Sequence, residues 1–384
     1  VRINSPVLLV LTLGIGLAGL LLPLVNYAPN RLISGQGIGL ATLIWGGWIG
    51  LAIPLAAWLA LSLIPLRRAG LVVTLLLAEL LFFALAWLAG ITASDLAAQG
   101  GALVRTSFGS GYYSIAALCL LMAADAIGRL TRRPLLRVLL NLQIWLPLVW
   151  LLMSGRLDQL SLLKEYANRS DVFQQAFSGH LILLFGTLVP ATLIGIPLGL
   201  FCHHSARWRP LIFSVLNVIQ TVPAIALFGL LIAPLSGLAT SLPWLRHWGI
   251  SGIGLAPALI ALVLYALLPL VRSVTAALEY VPASVIESAR GMGMTGSQIF
   301  RRVQIPLGLP VILSGLRVIA VQTVGMGMIA ALIGAGGFGS LMFQGLLSSA
   351  LELVLLGVVP AIGLAVLVDT LFKLLISFME TKRP

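Results

Sequence analysis

The side chains of this chain that could carry chemistry are few, and most lie between residues 284 and 306. There Ser284, Glu287, Arg290, Thr295, Gln298, Arg301, Arg302 and Gln304 form a polar island between two long apolar runs. No Ser/His/Asp set, His-Glu-x-x-His segment or carboxylate pair accompanies them, so the residues for an integral membrane enzyme are missing. The histidines His180, His203, His204 and His247 lack metal-ligand spacing, and adjacent His203 and His204 do not share a helix face. Gly-x-Gly-x-x-Gly occurs at Gly14/Gly16/Gly19, Gly291/Gly293/Gly296 and Gly334/Gly336/Gly339. None has the preceding strand and later acidic residue of a dinucleotide site, and no phosphate-binding Gly-x-x-x-x-Gly-Lys-Ser/Thr occurs. The chemistry left for the island is contact with another molecule.

Locally, 284–306 reads as helix, turn, helix. Ser284-x-x-Glu287 and Thr295-x-x-Gln298 both match the capping box, in which two side chains satisfy opposing orphan N–H groups. Gly291 and Gly293 between them are suited to the positive φ that ends a helix and turns the chain. Pro306 is expected at the start of the next helix, where its missing N–H is harmless.

The elements around the island are membrane helices. Of 384 residues 60% are hydrophobic and 9% charged, with a mean hydropathy of +1.09, against about 25% charged in soluble domains. Ten apolar runs can be marked, at about 6–26, 39–66, 70–91, 112–128, 138–153, 179–202, 210–234, 253–271, 309–333 and 351–377. Each approaches the ~20 residues a helical span needs, which predicts an all-α integral membrane protein of about ten spans. The run from Pro6 lacks a cleavage pattern and reads as an uncleaved anchor. Cys119 and Cys202 lie within or at the end of such runs, as small hydrophobes.

The net charge of +12 does not make a nucleic-acid surface, because Lys and Arg sit singly or in pairs at the ends of apolar runs. With the N-terminus inside, sixteen of the 23 Lys and Arg fall on inner segments and six on outer ones. That bias predicts both termini, and the 284–306 island, on the cytoplasmic side. The outer stretch 154–178, with Leu160, Leu163, Tyr166 and Ala167 at helical spacing, reads as a short interfacial helix. It divides the chain into residues 1–171, five spans, and 172–378, five spans with the island between them.

Glu287-Ser-Ala289, Gly293 six positions after Glu287, and Val303-x-Ile305-Pro306 resemble the EAA loop of bacterial ABC importer permeases, with Ser288, Val303 and Ile305 as mild departures. Residues 217–223 (Asn-Val-Ile-Gln-Thr-Val-Pro), 265–270 (Tyr-Ala-Leu-Leu-Pro-Leu) and 331–339 (Ala-Leu-Ile-Gly-Ala-Gly-Gly-Phe-Gly) resemble the osmoprotectant branch, which serves glycine betaine, choline and related quaternary amines. The resemblance covers about 172–378 and implies a five-helix type I permease core there. The five N-terminal spans resemble an extended variant.

The resemblance implies a machine in the bacterial inner membrane. A second permease subunit, the same chain or a related one, completes the pathway; two ATP-binding cassette subunits carry ATP and Mg; and an external binding protein delivers substrate. No cofactor is expected on this chain. Glu287, Ala289, Gly293, Val303, Ile305 and Pro306 are the implied coupling residues, with helix capping as a purely local role for Glu287. Another small amine or an amino acid would use nearly the same loop. An ion-coupled secondary transporter, the alternative from another class, would call for paired mid-membrane carboxylates and internal repeats.

The intramembrane charges are Glu79, Asp125, Arg317 and Asp369. The last three lie near helix ends and are expected to pair or snorkel, whereas Glu79 lies mid-span. A substrate path is assigned to Gln220, Thr221 and Pro223, a polar pair and a proline interrupting an apolar run, and to Tyr265. Phe228, Trp244 and Trp248 are further rings able to face a quaternary amine.

Overall fold

The computed structural model describes residues 3–381 apart from 31, 32, 34, 44–46, 102 and 248. Arg2, Arg31, Lys382 and Arg383, used above for topology, and Trp248 lie outside the described residues. The chain is an all-α membrane protein that divides into two compact units, Val1–Asn168 and Arg169–Pro384. Eight described helices are long and apolar enough to span: Arg68–Gly100, Ser110–Leu130, Pro134–Met153, Ser170–His204, Ala224–Ser241, Leu255–Glu279, Gly296–Ile333 and Leu351–Met379. The runs at 6–26 and 39–66 yield helices of 16 and 17 residues, short of the ~20 needed to cross a bilayer upright.

The first unit runs α1 (Pro6–Leu21), β1 (Pro23–Ala28), β2 (Gln36–Gly39), α2 (Leu40–Leu43), α3 (Gly47–Leu63), α4 (Arg68–Gly100), β3 (Arg105–Phe108), α5 (Ser110–Leu130), α6 (Pro134–Gln143), α7 (Leu146–Met153) and α8 (Ser161–Asn168). The sheet, in the order β2-β1-β3, is a departure from the helices expected. Apolar character continues through Pro23-Leu24-Val25, so composition alone did not mark where α1 stops. Pro23, without an N–H, follows its end. Asn26 then pairs with Gly37 on one side and Ser107 on the other. Ile15, Trp58, Phe82, Ile115, Met122 and Leu151 are buried in the core of this unit. The helix expected at 160–167 is present as α8, and Lys164 on it donates to the Val104 carbonyl at 3.2 Å. Burial, and then the charge of Arg105, hold the Lys164 ammonium below its ordinary pKa.

The second unit runs α9 (Ser170–His204), α10 (Arg209–Thr221), α11 (Ala224–Ser241), α12 (Trp244–His247), α13 (Leu255–Glu279), α14 (Ala283–Gly291), α15 (Gly296–Ile299), a π-turn (Phe300–Gln304), α16 (Ile305–Ala330), a 3₁₀ turn (Ala331–Ile333), α17 (Phe338–Leu347) and α18 (Leu351–Thr381). The run marked at 210–234 is thus two helices broken at Val222–Pro223. Central α13 is buried along Ala258, Ala261, Ala266, Leu270, Val274 and Ala277. Glycines let its neighbours approach: a Cβ added at Gly195 would lie 2.7 Å from Leu270 Cδ2, and one at Gly199 2.6 Å from Val274 Cβ. Small residues at such crossings are how membrane helices gain van der Waals contact without a hydrophobic drive.

Arg317 and Lys373 both pair with Asp369, at 3.2 and 2.6 Å, and Arg129 pairs with Asp125 at 3.0 Å. His180 is buried; its Nε2 donates to the Val324 carbonyl at 3.2 Å and its ring lies 5.1 Å from that of Phe338.

Gly199→Val should force α9 away from α13 and lower stability by about 1–3 kcal/mol, the usual cost of overpacking. Gly229→Ala, where an added methyl meets nothing within 4 Å, should leave the melting temperature nearly unchanged. Thermal unfolding of the purified protein in lipid compares the two.

Candidate functional site

The 284–306 island joins the end of α13 to the start of α16, and its shape follows from local rules. Pro282, extended at φ −59° and ψ 139°, is the N-cap of α14, so the helix begins at Ala283. Ser284 therefore lies inside the helix, and the capping box expected with Glu287 does not form. Instead the Ser284 carbonyl accepts from Ser288 Oγ at 2.8 Å.

The end of α14 is closed by a Schellman motif. Met294 N–H donates to the Ala289 carbonyl at 3.1 Å, and Gly293 N–H donates to the Arg290 carbonyl at 2.9 Å. Gly293 sits at φ +78°, which a side chain would strain. Gly291, expected to share this role, keeps a negative φ as the last helical residue. Ala289 is the one buried residue of α14.

Thr295 then starts α15 with the expected capping box. Its N–H donates to Gln298 Oε1 at 2.8 Å, and Gln298 N–H donates to Thr295 Oγ1 at 3.3 Å. Pro306 does not open a separate helix, as sequence reading expected; α15 continues through the π-turn into α16. Pro306 has no N–H for the Arg302 carbonyl, and the backbone widens before it, Ile305 N–H donating to the Phe300 carbonyl five residues back. Val303 and Ile305 are half-buried on this turn, while Arg301 and Arg302 are exposed. The Phe300 ring stands 6.5 Å from that of His204 at the end of α9.

The outcome is a rigid elbow with an uncovered helix. Val285, Glu287, Arg290 and Met292 are exposed, Met292 to 75%. Glu287 makes no hydrogen bond or ion pair among the described residues, so local capping does not account for it. Close by, Arg209 pairs with Glu279 at 2.5 Å, tying the start of α10 to the end of α13, and Arg272 donates to Asn217 Oδ1 at 2.7 Å.

The residues assigned to a path meet at the break between α10 and α11. Pro269 deprives the Tyr265 carbonyl of its helical donor, and Gln220 Nε2 supplies one at 2.8 Å. The Tyr265 hydroxyl returns the bond, donating to the carbonyl of Val222 at the break. Thr221 and Pro223 are exposed, and Thr221 Oγ1 donates to Val218 at 2.7 Å. Gln220 and Tyr265 thus lock a broken helix to α13. Phe228 is wholly buried, while Trp244 is exposed to 55%.

Residues 191–381 match the family described as binding-protein-dependent transport system inner membrane component, and residues 3–163 match the N-terminal domain of the ABC transporter permease YehY. The osmoprotectant import permease OsmW of Salmonella typhimurium is 40% identical over 193 residues, which are 50% of this chain and 84% of that one. The choline transport system permease OpuBD of Bacillus subtilis is 30% identical over 211 residues, 55% of this chain and 86% of its own. Among solved structures, the MetNI methionine ABC transporter in an inward-facing conformation matches with a TM-score of 0.48 and 23% identity, covering 55% of this chain and 98% of that one. By the family match and the two permease relatives, the chain belongs to the binding-protein-dependent ABC transporter permeases, transport components of the bacterial inner membrane whose ATP is handled by a partner subunit.

Proposed function

We propose that this permease imports a quaternary-amine osmoprotectant of the glycine betaine, carnitine or choline class, delivered by an external binding protein, and that its 284–306 elbow is the contact through which ATP-binding subunits drive it. The carrying observation is the exposed, fixed face of α14, with unpartnered Glu287 between Val285 and Met292. A helix closed by a Schellman motif and followed by a capping box is held in one pose without a partner, which is the preorganisation a docking element needs. The cargo class is supported by relatives named for osmoprotectants and choline. In this reading both termini and the elbow are cytoplasmic, ATP and Mg stay on the partner, no cofactor binds this chain, and a second permease subunit completes the pathway. Residues 1–171 are the extension and 172–378 the transporting core. Ala289, Val303, Ile305 and Pro306 hold the elbow's shape, and Gln220 and Tyr265 hold the α10–α11 break beside the path that Thr221 and Pro223 line.

The test is ATP hydrolysis by the assembled importer in lipid, with and without betaine-loaded binding protein. Glu287→Ala should leave the melting temperature unchanged and abolish most of the stimulation by loaded protein. Gly293→Asp, which places a side chain at positive φ at a cost of about 1–2 kcal/mol, should reduce stimulation at least as far. Stimulation equal to native in both variants would refute the coupling role.

Tyr265→Phe removes the hydroxyl bonded to Val222 and should cost about 1–2 kcal/mol. Uptake of radiolabelled choline should fall while ATP hydrolysis without substrate is retained; uptake at the native rate would remove Tyr265 from the account.

A further inference from the structure

Within the first unit, Glu79 stands apart from the other intramembrane charges. Asp125 and Asp369 each pair with arginine, whereas no cation pairs with Glu79 among the described residues. Its partner is an amide: Gln143 Nε2 donates to Glu79 Oε1 at 2.7 Å. Both are deep. Glu79 lies about 17 Å along α4 from Arg68, and Gln143 about 14 Å along the Pro134–Met153 span, at about 1.5 Å per residue, in a hydrocarbon layer about 30 Å thick. A carboxylate at that depth is costly and marks function by default.

The surroundings are those of a cation site. Phe82 and Phe83 follow Glu79 at i+3 and i+4, on the same face of α4. Phe82 meets Trp145 edge-on at 5.9 Å, and Phe83 meets Trp150 at 6.2 Å. Gln143 and Trp145 both come from the break between α6 and α7, where Pro147 withholds the helical donor of the Gln143 carbonyl. Glu79, Gln143 and Trp145 thus lie within about one helical turn of the same depth, joined by the Gln143–Glu79 bond and by Phe82 against Trp145, while Phe83 and Trp150 meet about a turn or more further along. Trp145 remains 45% exposed, so its indole is not closed off within the first unit.

We propose that Glu79, Gln143 and Trp145 form a binding site for a small organic monocation of the tetramethylammonium or choline type. Quaternary ammonium groups are held by aromatic faces, and Glu79 supplies the counter-charge that the low-dielectric site otherwise lacks. The same carboxylate disfavours a zwitterion, whose own carboxylate would meet it, so the site separates choline-like cations from betaines. The inference deepens the proposed function by distinguishing members of its cargo class, and the site itself rests on the geometry of the first unit.

The experiment titrates the full permease–ATPase complex in lipid nanodiscs with tetramethylammonium chloride against sodium chloride at equal ionic strength, reading tryptophan fluorescence and displacement of radiolabelled choline. Native complex should bind saturably, and Glu79→Gln, which keeps the Gln143 contact, should weaken binding about tenfold or more. Trp145→Leu should weaken it while Trp145→Phe retains most of it, and glycine betaine should displace choline at least about tenfold less well than tetramethylammonium does. No saturable binding by native complex, or equal binding by Glu79→Gln, would overturn the site and leave Glu79–Gln143 as a structural pair. The same preparations are scored for ATP hydrolysis stimulated by loaded binding protein. Stimulation without choline binding removes the site and leaves the importer, whereas choline binding without any stimulation by loaded binding protein removes the importer reading and leaves the site.

Discussion

The close approach of α13 to α9 and α16 is the constraint on which the second unit depends. Gly195 and Gly199 on α9 and Gly308 and Gly315 on α16 face Leu270, Val274, Ala277 and Ser273 with no room for a side chain; a Cβ at Gly308 would lie 2.8 Å from the Ala277 carbonyl. In a bilayer no hydrophobic drive joins helices, so this backbone-level contact is what holds them. The two helices so held, α13 and α16, are the two ends of the elbow. In the proposed reading a push on α14 would reach a pair of helices locked near the point of delivery, and densely packed elements move as bodies.

The elbow itself is built from inexpensive local devices. A proline sets where α14 begins, a left-handed glycine and two backbone bonds end it, a Thr–Gln capping box starts α15, and a widened turn absorbs Pro306 without breaking the helix. Each satisfies backbone groups internally, and together they leave the outward side chains of α14 uncommitted. The same logic runs through the α10–α11 break. There the carbonyls of Tyr265 and Val222 receive side-chain donors from Gln220 and Tyr265, as non-helical backbone at membrane depth requires.

Local devices were legible in the sequence and long-range ones were not. Gly293 and the Thr295–Gln298 box were readable because their partners lie within five residues. The Ser284–Glu287 box had the right spacing and failed, since Pro282 moved the start of the helix and left Ser284 inside it. The π-turn was hidden because Pro306 fits equally well in the first turn of a new helix. Strand β1 was missed because its first residues continue the apolar run of α1, and β2 and β3 because four residues are too few to show an alternation. Gln220 and Tyr265 were singled out for polarity and position. The bonds of Gln220 to Tyr265 and of Tyr265 to Val222, 45 and 43 residues apart in the chain, have no signature that spacing reveals. Glu79 was conspicuous by its depth, but its partner Gln143 became visible only once α6 and α7 packed beside α4.

The most direct test of the coupling account is amide hydrogen exchange of the permease alone and with its ATP-binding subunit bound. If the elbow is the docking element, exchange across residues 283–299 slows sharply on complex formation while that of α8, residues 161–168, does not change. A complex that forms with exchange across 283–299 unaltered would place the contact elsewhere and contradict the account.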